Sequence, residues 1–220
     1  MTATKPRAPR RRAPGRPGPD SPELRPHLID AALTCFVRDG IAATSLRGIA
    51  ACAGVTPALL NYYFGSKLAL RDAIFEERLM PAMFSLREHV IAAGDDPNGV
   101  ARSFVQGVFS VVERAPWLPS LWVREVLCEG GAFRELLLTR IAPELPQLLA
   151  GRFAQAQHQG TLNPGLDPRL LVVSMIGLTL FPAASAPIWR QIFQADLGTE
   201  VLAHHALALL AHGMEPPHAL

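Results

Sequence analysis

Residues 44–67, TSLRGIAACAGVTPALLNYYFGSK, restrict the fold of this chain more than any other segment. Their pattern predicts two short helices crossing at a tight turn, a helix-turn-helix. Thr44 or Ser45 supplies the N-cap oxygen of the first helix. Ala50 falls where the two helices come closest, and a larger side chain there would force them apart. Gly54 occupies the turn, where a positive φ costs glycine nothing. Thr56 caps the second helix, and Pro57 takes its first position, where a missing N–H is no loss. Ile49, Ala53, Val55, Leu60 and Tyr63 are spaced to face inward, leaving Pro57, Ala58, Leu59, Asn61 and Tyr62 outward. A short helix on such a platform fits the major groove of DNA.

The flanks continue the pattern. RPHLIDAALTCFV (25–37) places Leu28, Ile29, Ala32, Leu33, Phe36 and Val37 on a helical stripe. Asp39-Gly40 ends that helix and Ile41 restarts the core. Gly65-Ser66 is a break and a cap, and Lys67 opens a further helix, KLALRDAIFEERL, which Pro81 is placed to kink. A helix, FVRDGIAATS, IAACAGV, a short helix ending NYYF and a GSK step follow in that order over residues 26–80. This run resembles the TetR/AcrR family of bacterial regulators.

The resemblance implies roles residue by residue. Lys67 matches a lysine that contacts the DNA backbone, and its ammonium at a helix N-terminus suits a phosphate. Thr44 or Ser45 matches a hydroxyl near phosphate, Arg47 a position reaching phosphate or base, and Tyr63 the aromatic before the final phenylalanine. The sequence departs from the family in Ala58-Leu59, where Gly-Thr is common, and in Asn61, where tyrosine is common. Asparagine can pair with adenine or bond a phosphate, and both remain open. Tyr62 is placed across the backbone, and Thr56, Pro57 and Ala58 complete the expected DNA face.

Charge is unevenly distributed. Residues 1–25 hold seven positive side chains against two negative, residues 26–80 five of each, and residues 81–220 nine positive against twelve negative. The arm 1–24 is rich in proline and glycine and is expected to be disordered. Around Arg16, PGRPGP resembles an AT-hook core, an arginine for the minor groove. Generic phosphate attraction and a bias toward arginine, nineteen against two lysines, account for the same residues.

The remaining chain predicts an all-α protein: a helix-turn-helix domain at 25–72, a helical ligand-binding and dimerisation domain at 73–213, and a frayed tail at 214–220. The helix RLLVVSMIGLTLF is apolar on nearly every side, so it is expected to be buried all round. One face would lie on the core and another on a second copy. The expected dimer residues are Leu170, Val173, Ser174, Gly177, Leu178 and Phe181, with Leu202 and Leu209 from a last helix starting at Ile188 or Thr199. A homodimer through paired helices is what the resemblance implies; an ordinary core helix is the alternative.

The central helices carry Phe104, Phe109, Trp117, Trp122 and Phe133 with Gln106, Arg124 and Glu125. Apolar walls with a few polar anchors suit a small apolar or amphipathic effector, and equally an ordinary core. No phosphate loop, nucleophile elbow or HExxH occurs, so neither catalysis nor a cofactor is expected. His204, His205 and His212 are too loosely spaced for a metal site. No apolar leader accompanies the basic N-terminus, and Leu170–Ala184 is too short for a membrane span. Three separated cysteines fit a reducing cytoplasm rather than a disulfide framework. Cys35 and Cys52 are expected as small core residues. A redox role for either, or for Cys128, would need a basic neighbour or a second cysteine close by. The reading is therefore a DNA-binding regulator, a repressor acting on a palindromic operator. A regulator without small-molecule control and a helical small-molecule carrier remain as alternatives.

Overall fold

The computed structural model describes residues 23–140 and 144–217, and among the described residues helices are joined by turns and loops with no strand. The first helix, α1 (Leu24–Asp39), buries the stripe Leu28, Ile29, Ala32 and Phe36 and stops at Gly40, whose φ is 83°. The pair α2 (Leu46–Cys52) and α3 (Pro57–Phe64) is joined through Gly54, at φ 66°. Ser45 accepts from Gly48 N at 3.1 Å and Thr56 from Leu59 N at 3.3 Å, so both N-termini are capped by the expected hydroxyls. Ser66 does the same for α4 (Lys67–Ile74), accepting from Ala69 N at 3.1 Å.

From α4 the chain continues without a loop. A π-helical segment, Phe75–Leu79, leads directly into α5 (Met80–Ala92). Pro81 lies just beyond this wide turn and breaks nothing. It cannot donate to the carbonyl of Glu77, four residues back, and that carbonyl accepts from Arg78 Nη1 at 3.2 Å instead. Phe75 and Leu79 are buried with the α1–α4 core, so one packed cluster extends past residue 72.

Asp96 caps α6 (Pro97–Arg114), accepting from Gly99 N at 2.7 Å. Then come α7 (Leu118–Trp122), a second π-helical segment at Val123–Leu127, α8 (Arg134–Arg140) and α9 (Glu144–His158). The chain ends with α10 (Pro168–Ala184), α11 (Ala186–Phe193) and α12 (Thr199–Met214). A second core gathers α5, α6, α9, α10 and α12 around Val105, Phe153, Leu149 and Met175. Two expected features differ. The segment after Ser185 forms two helices, divided at Gln194, whose φ is 49°. Met214, assigned to a frayed tail, is the buried last residue of α12, and its carbonyl accepts from Asn163 N at 3.0 Å.

α10 is buried on one side only. Leu171, Val172, Met175 and Thr179 face the core, whereas Leu170, Val173, Ser174, Gly177 and Phe181 face out. Among the described residues no single helix is long and apolar enough to cross a membrane; α10 and α11 together reach that length but are bent by 68°.

The second π segment ends in a close backbone approach. A Cβ built on Gly131 would lie 2.4 Å from the carbonyl oxygen of Glu125, and no side-chain movement relieves a clash with backbone. Gly131→Ala is therefore expected to destabilise the protein by about 1–3 kcal/mol, the usual cost of overpacking. Thermal unfolding against wild type measures it, and an unchanged midpoint would contradict the approach.

Candidate functional site

The outward face of α3 is built as the helix-turn-helix pattern requires. Leu60 and Phe64 are buried in the core shared by α1–α4, which turns Ala58, Asn61 and Tyr62 to solvent. Tyr62 is 80% exposed, its ring edge-on to Tyr63 with centroids 5.7 Å apart. Ser45, Arg47, Thr56 and Pro57 are exposed on the same platform, although the hydroxyls of Ser45 and Thr56 serve as caps. Arg47 forms no ion pair among the described residues. Arg16 lies outside the described residues.

Two residues expected at phosphate have other work. Thr44 is buried, and its hydroxyl donates to Gly40 O at 2.6 Å. Lys67 Nζ donates to Ile41 O at 2.8 Å and to Ala42 O and Thr44 O at 2.9 Å. An ammonium has three N–H donors, so all are occupied by the turn between α1 and α2. These two residues hold the turn from within rather than presenting groups to a ligand. Sequence alone could not separate the roles, because a lysine at a helix start serves a phosphate or a carbonyl cluster equally well.

The same turn is gripped from the other domain. Glu125 is 5% exposed; its Oε1 accepts from Ile41 N at 2.9 Å and its Oε2 from Ala132 N at 3.1 Å. Arg124 Nη1 donates to Val37 O at 3.0 Å. Both were expected as ligand anchors; the structure makes them clamps on the DNA-binding half. Gln106 is exposed, away from any interior.

A cavity of about 220 Å³ lies between α5, α6, α7, α8, α9 and α10. Of the expected aromatics, Phe104 and Trp122 line it. Phe109 is packed in the second core, Phe133 lies against Phe75 with ring centroids 6.0 Å apart, and Trp117 borders a separate groove with Arg78 and Arg114. The walls are mostly aliphatic, formed by Leu86, Val108, Leu118, Leu149, Val172 and Ile176, which an aromatic signature in the sequence does not mark. The i, i+4, i+7 stripe Phe104, Val108, Val111 on α6 was the available signal. Thr179 is a wall residue whose hydroxyl is turned onto its own helix, donating to Met175 O at 2.8 Å. Among the described residues the lining therefore offers the cavity apolar contact, with the Thr179 hydroxyl turned away from it.

A family model described as bacterial regulatory proteins, tetR family, matches residues 28–74, and a tetracyclin repressor-like C-terminal domain matches residues 97–212. The chain belongs to the TetR family. It is accordingly a DNA-binding transcriptional regulator. Among curated relatives, the transcriptional repressor KstR2 of Rhodococcus jostii is 24% identical over 146 residues, 66% of this chain and 71% of the relative. The regulator BetI of Burkholderia thailandensis is 27% identical over 99 residues; the match covers 45% of this chain and about half, 51%, of BetI. The solved ketosteroid regulator KstR2 of Mycobacterium tuberculosis superposes with a TM-score of 0.71 at 18% identity, over 87% of this chain and 94% of that one. FadR of Bacillus subtilis, in complex with stearoyl-CoA, superposes with a TM-score of 0.66 at 20% identity, over 85% and 97%. At these identities the likeness shows the fold.

Lys67→Met removes three charge-assisted bonds to the α1–α2 turn while keeping the stem. It is expected to lower stability by about 1–3 kcal/mol without DNA present. A salt titration of DNA binding should keep its log–log slope, since no phosphate contact is lost. A slope reduced by about one unit would return Lys67 to the backbone.

Proposed function

We propose that this protein is a homodimeric repressor whose grip on a palindromic operator is released by an apolar or amphipathic effector. Residues 25–72 read DNA through Arg47, Asn61 and Tyr62, and residues 73–213 hold the effector and the partner. The observation that carries this reading is the continuity of α7 with the clamp: Leu118 and Trp122 line the cavity, and within three residues of Trp122 the chain reaches Arg124 and Glu125 on the α1–α2 turn. An occupant that shifts the wall moves a segment bonded to the DNA-binding half. Repression relief then follows as a population shift toward a spacing of recognition helices that no longer matches the half-sites.

The walls favour a hydrocarbon body. FadR of Bacillus subtilis holds stearoyl-CoA on the same fold, whereas an apolar cavity of about 220 Å³ suits a shorter acyl chain. The effector test uses gel shifts on DNA upstream of the protein's own gene, with octanoyl-CoA as the probe. Release of the DNA is expected. Val108→Phe, which adds bulk to the cavity wall, should bind DNA normally yet need roughly tenfold more probe. DNA release that is identical in the variant would remove the cavity from the mechanism.

The dimer reading rests on α10, whose outward face is apolar although the helix also walls the cavity. Leu170, Val173 and Phe181 are each more than 60% exposed, Ser174, Gly177 and Leu209 are exposed beside them, and Leu178 and Leu202 are half-buried. Between α10 and α12 a groove lined by Leu170, Ser174, Leu178 and Leu209 offers a seat for the partner's side chains. Nothing lies within 4 Å of a Cβ on Gly177, so an arginine there is compatible with the folded subunit. Gly177→Arg is thus expected to leave thermal stability of the subunit intact while sedimentation shows monomer, because an unpaired charge in the interface costs several kcal/mol. Operator binding should fail with it. A folded, dimeric, fully binding variant would place the interface elsewhere.

A further inference from the structure

A groove of about 370 Å³ opens at the junction of the two halves. Asp30 of α1, Arg78 of the first π segment, Ser85 of α5, Val111 and Arg114 of α6, and Trp117 just before α7 border it. Its chemistry is unlike that of the apolar cavity. Arg78 donates to Asp30 Oδ1 from Nε at 3.2 Å and from Nη2 at 3.0 Å, so those two charges cancel. Arg114 is exposed and forms no ion pair among the described residues, which leaves the lining with one net positive charge. Trp117 packs against the first core but stays half-buried, and its indole N–H has no hydrogen-bond partner among the described residues. The Ser85 hydroxyl has none there either. An unpaired guanidinium, a hydroxyl and an indole with an open N–H suit an anion joined to a flat ring.

Position ties this groove to the cavity. Val111 lines both, and neighbours in sequence divide between them: Ser85 borders the groove and Leu86 the cavity, Trp117 the groove and Leu118 the cavity. We propose that the groove seats the phosphorylated adenosine head group of an acyl-coenzyme A whose acyl chain enters the cavity. Arg114 meets the phosphates. Arg78 spends three N–H donors on Asp30 and on Glu77 O, and a guanidinium has five, so it keeps donors for a phosphate oxygen as well. The adenine ring stacks on the Trp117 indole. The placement of the acyl chain rests on the effector reading above; the head-group site rests on the groove alone.

Occupancy has a consequence for the junction. The Arg78–Asp30 pair ties α1 to the first π segment. A phosphate at Arg78 competes with the Asp30 carboxylate, which is exposed and can turn to water at little cost. The head group thus loosens a tie between the halves, while the acyl chain occupies the cavity whose wall leads to the clamp. The two ends of one molecule act on the same domain junction.

The test uses the full-length protein and three probes: octanoyl-CoA, octanoyl-pantetheine, which lacks the phosphorylated nucleotide, and coenzyme A, which lacks the chain. Calorimetry should show octanoyl-CoA bound about tenfold or more tighter than octanoyl-pantetheine, the scale of one charge-assisted contact with stacking. Arg114→Gln, at an exposed position, should remove most of that advantage and leave octanoyl-pantetheine unchanged. Asp30→Asn should act in the opposite sense, tightening coenzyme A severalfold as a charge that repels the phosphates is lost. Coenzyme A should quench tryptophan fluorescence; the quench should vanish in Trp117→Phe and persist in Trp122→Phe. Equal affinities for the two octanoyl probes, or an advantage that Arg114→Gln leaves intact, overturns the head-group site. If octanoyl-pantetheine does not bind and octanoyl-CoA binds no tighter than coenzyme A, the cavity reading fails, and coenzyme A alone decides the groove. An Arg114-dependent quench then sustains it, and no quench overturns it.

Discussion

The turn between α1 and α2 carries more backbone polar groups than its own helices can satisfy, and the architecture is arranged around satisfying them. Gly40 reverses the chain with a positive φ, which leaves the carbonyls of Val37, Ile41, Ala42 and Thr44 directed away from any helix ladder. Lys67 takes three of them from α4, and Arg124 takes the fourth from beyond α7. Glu125 meets the opposite need, accepting from the Ile41 amide. A buried backbone group left without a partner costs about as much as a lost hydrogen bond, so this knot fixes three separate elements relative to one another. The recognition helix inherits its position from it.

That knot also explains why the two halves of the protein are not independent bodies. α4 passes into α5 through a π-helical segment rather than a loop, and ion pairs of Arg25 with Glu77 and of Arg78 with Asp30 tie α1 to the same stretch. The apolar cavity sits one helix away, its wall continuous with the clamp. Under the proposed function, an occupant of that cavity would reach the DNA-binding half through the clamp. α10 would add a second route, since its inner face lines the cavity and its outer face is the proposed seat of the partner.

The helix-turn-helix was legible because every step of it has a local cause: caps at Ser45, Thr56 and Ser66, a proline at N1, glycines at the turns, and apolar residues at helical spacing. These depend on residues within a few positions of each other, and the family resemblance rests on the same residues. Long-range partners left no such mark. Glu125 and Arg124 looked like polar anchors among aromatics, yet they bond backbone groups more than 80 residues away. Phe109 and Phe133 matched the composition of a ligand wall and are core, while the aliphatic residues that do form the wall resemble any helix interior.

Sequence by itself thus determined the helices of the DNA-binding half, their capped ends, the outward face of α3 and the family, because propensity, capping and periodicity act over one or two turns. Tertiary structure decided what each polar side chain is for. Lys67 could serve a phosphate or three carbonyls, and Cys52 could face the core, as its apolar neighbours suggest, or solvent, where it is found. Those alternatives differ only in what stands opposite across a helix–helix interface, and which atoms meet there is set by the packing of the whole chain.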